Sequence, residues 1–264
     1  MHFVRSGRGA PALFFVHGFC CELGDWQPQL DYFASRNEVV ACDLRGHGKT
    51  PGRPEECSIE NFGGDVAALA TNLELRRVVL IGHSMGCRVV LEAAHLMPKR
   101  VAGLVLVDGS RFATGDPEAA ARAAKAAIDK EGYASFSAAL FGEMFVRGSA
   151  RAAEILARVA AMPADVPSAL WPRSAQWDAG QLESALAAVR APLLAIQSTV
   201  RNPVTLKRTS LKAGESSGWL DLLRERVKGS RIEVIPNVGH FTQLDAPERV
   251  NGLIEDFAGS SSPT

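Results

Sequence analysis

The chain has 264 residues, 47% of them hydrophobic, enough to bury the core of one domain with an insertion or of two small domains. Its 29 Lys and Arg balance 29 Asp and Glu, so no net field draws nucleic acid or an anionic membrane, and small neutral substrates suit such a surface. No stretch approaches the ~20 apolar residues of a membrane span, and five cysteines (Cys20, Cys21, Cys42, Cys57 and Cys87) without C-x-x-C spacing predict reduced thiols, no metal or other cofactor, and a cytoplasmic location.

Residues 2–5 and 12–16 read as strands, joined by Ser6-Gly7-Arg8-Gly9-Ala10-Pro11, a link short enough for an antiparallel hairpin. The N-terminus carries no signal-peptide pattern. A third strand is expected at 38–42 and a fourth at 78–81, followed directly by Gly82-His83-Ser84-Met85-Gly86 and the helix-like run 87–94. The G-x-S-x-G spacing alone turns up by chance in roughly one chain in ten of this length. A strand before it and a helix after it make it a nucleophile elbow, a strained turn that presents Ser84 at the C-terminal edge of a parallel sheet. Further strands are predicted at 102–107, 192–197 and 231–235, giving a mostly parallel sheet with helices on both faces. Between residues 111 and 188 the pattern turns helical, with Asp116-Pro117 as N-cap and N1 and helices over 119–130, 133–145, 149–162 and 181–189. One crossover rarely needs so many residues, so 111–188 reads as a helical cap on a core domain made of 1–110 and 189–264. The tail Gly259-Ser260-Ser261-Ser262-Pro263-Thr264 is expected to fray.

In order, His17-Gly18-Phe19, Asp43-Leu44-Arg45-Gly46-His47-Gly48, Gly82 to Gly86, Val107-Asp108-Gly109 and Val238-Gly239-His240-Phe241 resemble the landmarks of the α/β-hydrolase superfamily. The resemblance runs over nearly the whole chain and points to small bacterial serine carboxylesterases with a helical cap. It implies an α/β-hydrolase fold. Family members usually have an eight-stranded sheet; here a seven-stranded sheet is expected, its first strand antiparallel.

A serine hydroxyl is a weak nucleophile and needs a base, and the base needs a third group that fixes its tautomer. His240 follows the last strand through the turn-rich Pro236-Asn237-Val238-Gly239, which can carry it back over Ser84, and the resemblance implies the same role. His17 and His47, beside glycines, read as props for loop backbone; His83 reads as structural, and His2 and His95 as surface residues. The acid is less plain. Relatives usually carry an aspartate after the penultimate strand, where this chain has Gln197-Ser198-Thr199-Val200-Arg201-Asn202 without a carboxylate. Asp108 is then the leading candidate, its spacing from Ser84 being similar to that of haloalkane dehalogenases with their acid on this strand. Glu215, Asp221 or an unforeseen group remain alternatives.

The Met85 amide, at the start of the elbow helix, is a natural oxyanion donor, and the resemblance implies the Phe19 amide as the second. Trp171 and Trp177 could wall an apolar substrate pocket or serve as packing between cap and sheet. The expected activity is hydrolysis of a small-molecule carboxylic ester. Lactonase, perhydrolase and carbon–carbon hydrolase activities, or a small-molecule receptor with slow turnover, fit the same residues; oligomeric state stays open.

Overall fold

The computed structural model describes residues 1–145, 149–202 and 207–260, so part of the expected fraying tail, 261–264, lies outside the described residues. The strands are β1 (Phe3–Ser6), β2 (Ala12–Val16), β3 (Val39–Cys42), β4 (Val78–His83), β5 (Val101–Val107), β6 (Leu193–Gln197), β7 (Thr199–Arg201), β8 (Arg208–Ser210) and β9 (Arg231–Val234). Among the described residues seven of them form one sheet in the order β1-β3-β2-β4-β5-β6-β9, parallel except for β1. The seven-stranded α/β-hydrolase sheet expected above is the one observed. The ladder of β2 explains it: Ala12, Phe14 and Val16 bury on one face and Leu13 and Phe15 on the other, the period-two pattern of a strand covered on both sides.

The expected hairpin between β1 and β2 does not form. β1 pairs antiparallel with β3 instead, Phe3 opposite Cys42 and Ser6 opposite Val39. Fully buried β2 takes β3 on one side and β4 on the other, and exposed β1 is left the sheet edge. The link crosses the start of β3, where a Cβ on Gly7 would lie 2.2 Å from the Asn37 carbonyl and Glu38 N–H donates to the Gly9 carbonyl at 3.1 Å.

Helices α1 (Gln27–Phe33), α2 (Ile59–Asn72) and α3 (Gly86–Leu96) cover the first half of the sheet. The segment between β5 and β6 holds α4 (Pro117–Glu131), α5 (Tyr133–Gly142), α6 (Ala152–Ala161), α7 (Asp165–Gly180) and α8 (Leu182–Ala187). The rest of the sheet is closed by α9 (Gly218–Arg226), α10 (Thr242–Asp245) and α11 (Pro247–Ser260). Asp116 caps α4 as its sequence indicated, accepting the Ala119 N–H at 2.7 Å. Sequence reading missed α7 because Pro172 lies inside it and costs a helix roughly 3 kcal/mol. Burial of Val166, Leu170, Ala175 and Trp177 outweighs that cost, and the Ser174 hydroxyl donates to the Leu170 carbonyl at 3.0 Å.

Ion pairs fasten these helices to the rest of the fold: Arg158 on α6 meets the buried Asp25 at 2.6 Å, and a second pair is buried on both sides. Arg88 on α3 donates to both carboxylate oxygens of Asp178 on α7, at 2.6 and 2.7 Å, with side chains 4% and 0% exposed. Asp178 also accepts the Phe112 N–H at 3.0 Å. Asp178→Ala would strand a buried guanidinium and is expected to cost about 3–5 kcal/mol, read as a lower midpoint in chemical denaturation; an unchanged midpoint would contradict this anchoring.

Candidate active site

β4 ends at His83 and α3 begins at Gly86, so the chain turns from strand to helix within two residues. Ser84 takes a left-handed φ of 54°, a strained conformation for a residue with a Cβ. The flanking glycines are required by space: a Cβ on Gly82 would lie 2.3 Å from the Gly86 carbonyl oxygen, and one on Gly86 2.5 Å from that of Val16. Ser84 N–H donates to the Val107 carbonyl at 2.9 Å, pinning the turn beside the end of β5.

His240 comes back over this turn. Its Nε2 lies 2.8 Å from Ser84 Oγ, and its Nδ1 lies 2.5 Å from Asp108 Oδ2. With Nδ1–H donating to the carboxylate, Nε2 is left to accept the serine proton. The His83 ring donates through Nε2 to the His240 carbonyl at 2.9 Å, and His240 N–H donates to the Met144 carbonyl at 2.7 Å, so the loop is held from both sides.

Asp108 is fully buried just past β5, with a left-handed φ of 46°. Its Oδ1 accepts the N–H groups of Ser198 and Thr199, both at 2.8 Å, and its Oδ2 accepts the Thr199 hydroxyl at 2.5 Å. Arg208 Nη1 stands 3.5 Å from Oδ2 and donates to the Thr199 hydroxyl at 2.7 Å. The segment where relatives usually carry the acid therefore supplies donors to an acid on the neighbouring strand. Ser198, Thr199 and Arg208 were not anticipated as site residues, although a carboxylate-free Ser-Thr pair at the expected acid position was the available signal. Glu215 accepts the Lys212 N–H at 2.8 Å, and Asp221 is paired with Arg224 at 2.8 Å on the exposed face of α9; neither is hydrogen-bonded to His240.

Burial and the nearby Arg208 charge hold the His240 imidazole down to about 4, against the opposing pull of Asp108. Burial pushes the Asp108 carboxyl upward, but the hydrogen bond and charge of His240, then Arg208 and Thr199, carry it down to about 2. A neutral imidazole beside an ionised carboxylate is the resting state at neutral pH.

The N–H groups of Phe19 and Met85 donate to no backbone carbonyl among the described residues, and both residues line a cavity of about 30 Å³ over Ser84. Trp171 also lines it, stacked on Phe112 with ring centroids 4.8 Å apart and tilted against Phe19 at 5.3 Å. Trp177 does not: it is buried between α7 and α3, its indole N–H donating to Glu92 at 2.7 Å, which makes it the packing residue of the two alternatives. Arg201 and Arg208, on the small β7–β8 ladder, complete the wall.

His17 accepts the Leu44 N–H at 3.0 Å and donates to the Gly18 carbonyl at 2.8 Å; His47 donates to the Arg45 carbonyl at 3.0 Å. His95 is exposed, but His2 is half-buried and paired with Asp43 at 2.7 Å, a contact that exists only because β1 docks beside β3. Among the described residues no cluster of His, Cys, Asp and Glu is placed to hold a metal ion, and no helix is long and apolar enough to cross a membrane. All five cysteines are free and buried.

The sequence pattern of the alpha/beta hydrolase family matches residues 13–253. The chain belongs to that family. It is similar to the dihydrolipoyllysine-residue acetyltransferase component of the acetoin cleaving system of Pseudomonas putida, 36% identical over 40% of this chain and 28% of that protein. It is also similar to (E)-2-((N-methylformamido)methylene)succinate hydrolase of Acinetobacter baylyi, 28% identical over 41% of each. The matched stretch thus spans less than half the length of these relatives. Among solved structures, a thermophilic esterase from Thermogutta terrifontis shares the fold at TM-score 0.81, with 22% identity over 99% of this chain and 94% of that one. Est816, described as an N-acyl homoserine lactone degrading enzyme, matches at TM-score 0.76 with 26% identity over 97% of this chain and 96% of that one.

In a pH titration followed by imidazole NMR signals, His240 is expected to stay neutral at pH 6.5 and take up its proton near pH 4. Arg208→Gln removes a neighbouring cation and should move that midpoint upward. A parental midpoint at or above the ordinary 6.5 would contradict the effect of burial.

Proposed function

We propose that the chain is a serine carboxylesterase that cleaves small to medium esters through an acyl-enzyme on Ser84. The observation that carries this reading is the series Ser84 Oγ, His240 and Asp108, spaced 2.8 and 2.5 Å. Ser84 Oγ attacks the ester carbonyl carbon while His240 Nε2 takes its proton, and Asp108 stabilises the imidazolium. The carbonyl oxygen, now an anion, turns to the Phe19 and Met85 amides, each such donor being worth ~10²–10³ in rate. The bond to the alkoxy oxygen breaks as His240 protonates the departing alcohol. Water then attacks the acyl carbon, giving its proton to His240, and the proton returns to Ser84 as the acid leaves.

In this reading residues 111–188 act as a lid over a core formed by 1–110 and 189–264. A cavity of about 30 Å³ is roughly the share of one water molecule, so an ester enters only when inserted helices shift, and Trp171 then meets the substrate. Lactone hydrolysis is a second reading, favoured by the 26% identity to the lactone-degrading Est816 over nearly the whole chain; it uses the same steps with the alcohol still tethered to the acyl group.

Turnover of p-nitrophenyl esters of increasing chain length, beside a lactone and an amide, tests the substrate class. Ser84→Ala should abolish nearly all turnover and keep the fold, and an organophosphonate should label Ser84; labelling of another serine with activity lost in step would overturn the assignment. Asp108→Asn is expected to lower kcat by ~10⁴, because the imidazole is then held in the wrong tautomer. Glu215→Gln and Asp221→Asn should cost far less, and the opposite ranking would displace Asp108.

A further inference from the structure

We infer that Phe145, just past α5 in the inserted segment, is a positioning residue for the reaction: together with the Met144 carbonyl, its ring holds the His240 loop so that the imidazole stays in line with Ser84. This rests on the serine hydrolase reading and adds to it a part of the insertion on which the base depends.

The loop after β9 does not fix His240 by itself. It is the turn-rich run Pro236-Asn237-Val238-Gly239, with Asn237 at a left-handed φ of 63°. The sheet domain takes hold of its carbonyls: the Ser210 hydroxyl donates to that of Val238 at 3.0 Å, the Ser198 hydroxyl to that of Gly239 at 2.8 Å, and the His83 ring to that of His240 at 2.9 Å. The insertion holds the other side. The His240 N–H finds its backbone acceptor in Met144, at 2.7 Å, and His240 is buried, where an amide without an acceptor is costly. The next residue repeats the arrangement. Phe241 is buried, and its ring lies parallel to that of Phe145, the planes 2° apart and the centroids 5.0 Å apart. Phe241 also meets the His83 ring at 5.2 Å, and His83 meets the His240 ring at 4.8 Å. Phe145 is thus the outer member of a series of packed rings that ends at the base. A further contact backs it from the same side of the loop: the Ser149 hydroxyl donates to Asp245, on α10, at 2.7 Å.

The position of the two residues separates positioning from binding. Met144 lines the cavity over Ser84, so its side chain meets a substrate while its carbonyl holds the base; Phe145 does not line that cavity and acts through the loop. Closure of this part of the insertion over an ester then completes the pocket wall and the hold on His240 together.

The test uses p-nitrophenyl acetate and a small organophosphonate, because acylation, deacylation and phosphonate labelling of Ser84 all need the base. Phe145→Ala is expected to lower kcat about tenfold, the scale of one lost aromatic stack, to slow labelling by the same factor and to leave KM within about twofold. Phe145→Tyr keeps the ring and should keep the parental rates. Phe145→Leu keeps apolar bulk for folding while losing the stack, and should show the same loss in smaller measure. Trp177→Phe, which releases Glu92 and loosens α7 from α3 away from the histidine loop, should lower the denaturation midpoint without slowing the labelling. Unchanged kcat and labelling in the alanine and leucine variants, a change confined to KM, or an equal slowing in Trp177→Phe would overturn the proposal. A parental protein that neither hydrolyses esters nor takes up phosphonate would overturn the hydrolase reading instead. The positioning role is then decided by the His240 imidazole NMR signals, which should move or broaden in Phe145→Ala and not in Trp177→Phe; signals unmoved in both would overturn it.

Discussion

A carboxylate taken out of water must have its lone pairs matched by donors, or it takes up a proton and loses its charge. Asp108 meets that demand with two amides, a hydroxyl, an imidazole and a nearby guanidinium, drawn from the ends of β6 and β7, from β8 and from the loop after β9. Those donors are also the parts that must be in register for His240 to reach Ser84. The Ser198 hydroxyl, which donates to the Gly239 carbonyl at 2.8 Å, ties the histidine loop to the same centre. The carboxylate thus organises the sheet edge around itself as well as fixing the imidazole.

The acid can sit on β5 because the parallel register brings β5 and β6 side by side, Val107 opposite Ile196. A carboxylate one residue beyond β5 is then adjacent to the residues one and two beyond β6. In such a sheet the two strand ends are interchangeable as sources of charge, provided the one without the acid turns its amides toward the one that has it. Backbone strain follows the chemistry: the left-handed φ values of Ser84 and Asp108 are both at strand ends and both aim a functional oxygen into the site.

The inserted helices meet this centre through few specific contacts. Arg88 and Asp178 clamp α7 to the elbow helix, the Met144 carbonyl takes the His240 amide, and Trp171 stacks on Phe112 and packs at a tilt against Phe19. The first is a buried ion pair, the second a backbone hydrogen bond and the third a set of aromatic contacts.

Period-two burial, the G-x-S-x-G turn between strand and helix, and the histidine after the last strand were legible in the amino-acid sequence, because each is a local pattern that physics allows in few conformations. The α/β-hydrolase sheet and the positions of Ser84 and His240 follow from such patterns. The partner of β1 was not legible, since a short link permits a hairpin and only the need of buried β2 for two neighbours sends β1 to the far side of β3. α7 was hidden by Pro172, whose local cost is overcome by burial of side chains against distant helices. Trp171 and Trp177, alike in sequence, were separated by the face of α7 each occupies. The cradle of Asp108 and the pairing of Arg201 with Arg208 depend on which strand ends lie side by side, a property of the sheet's register that no window of sequence contains.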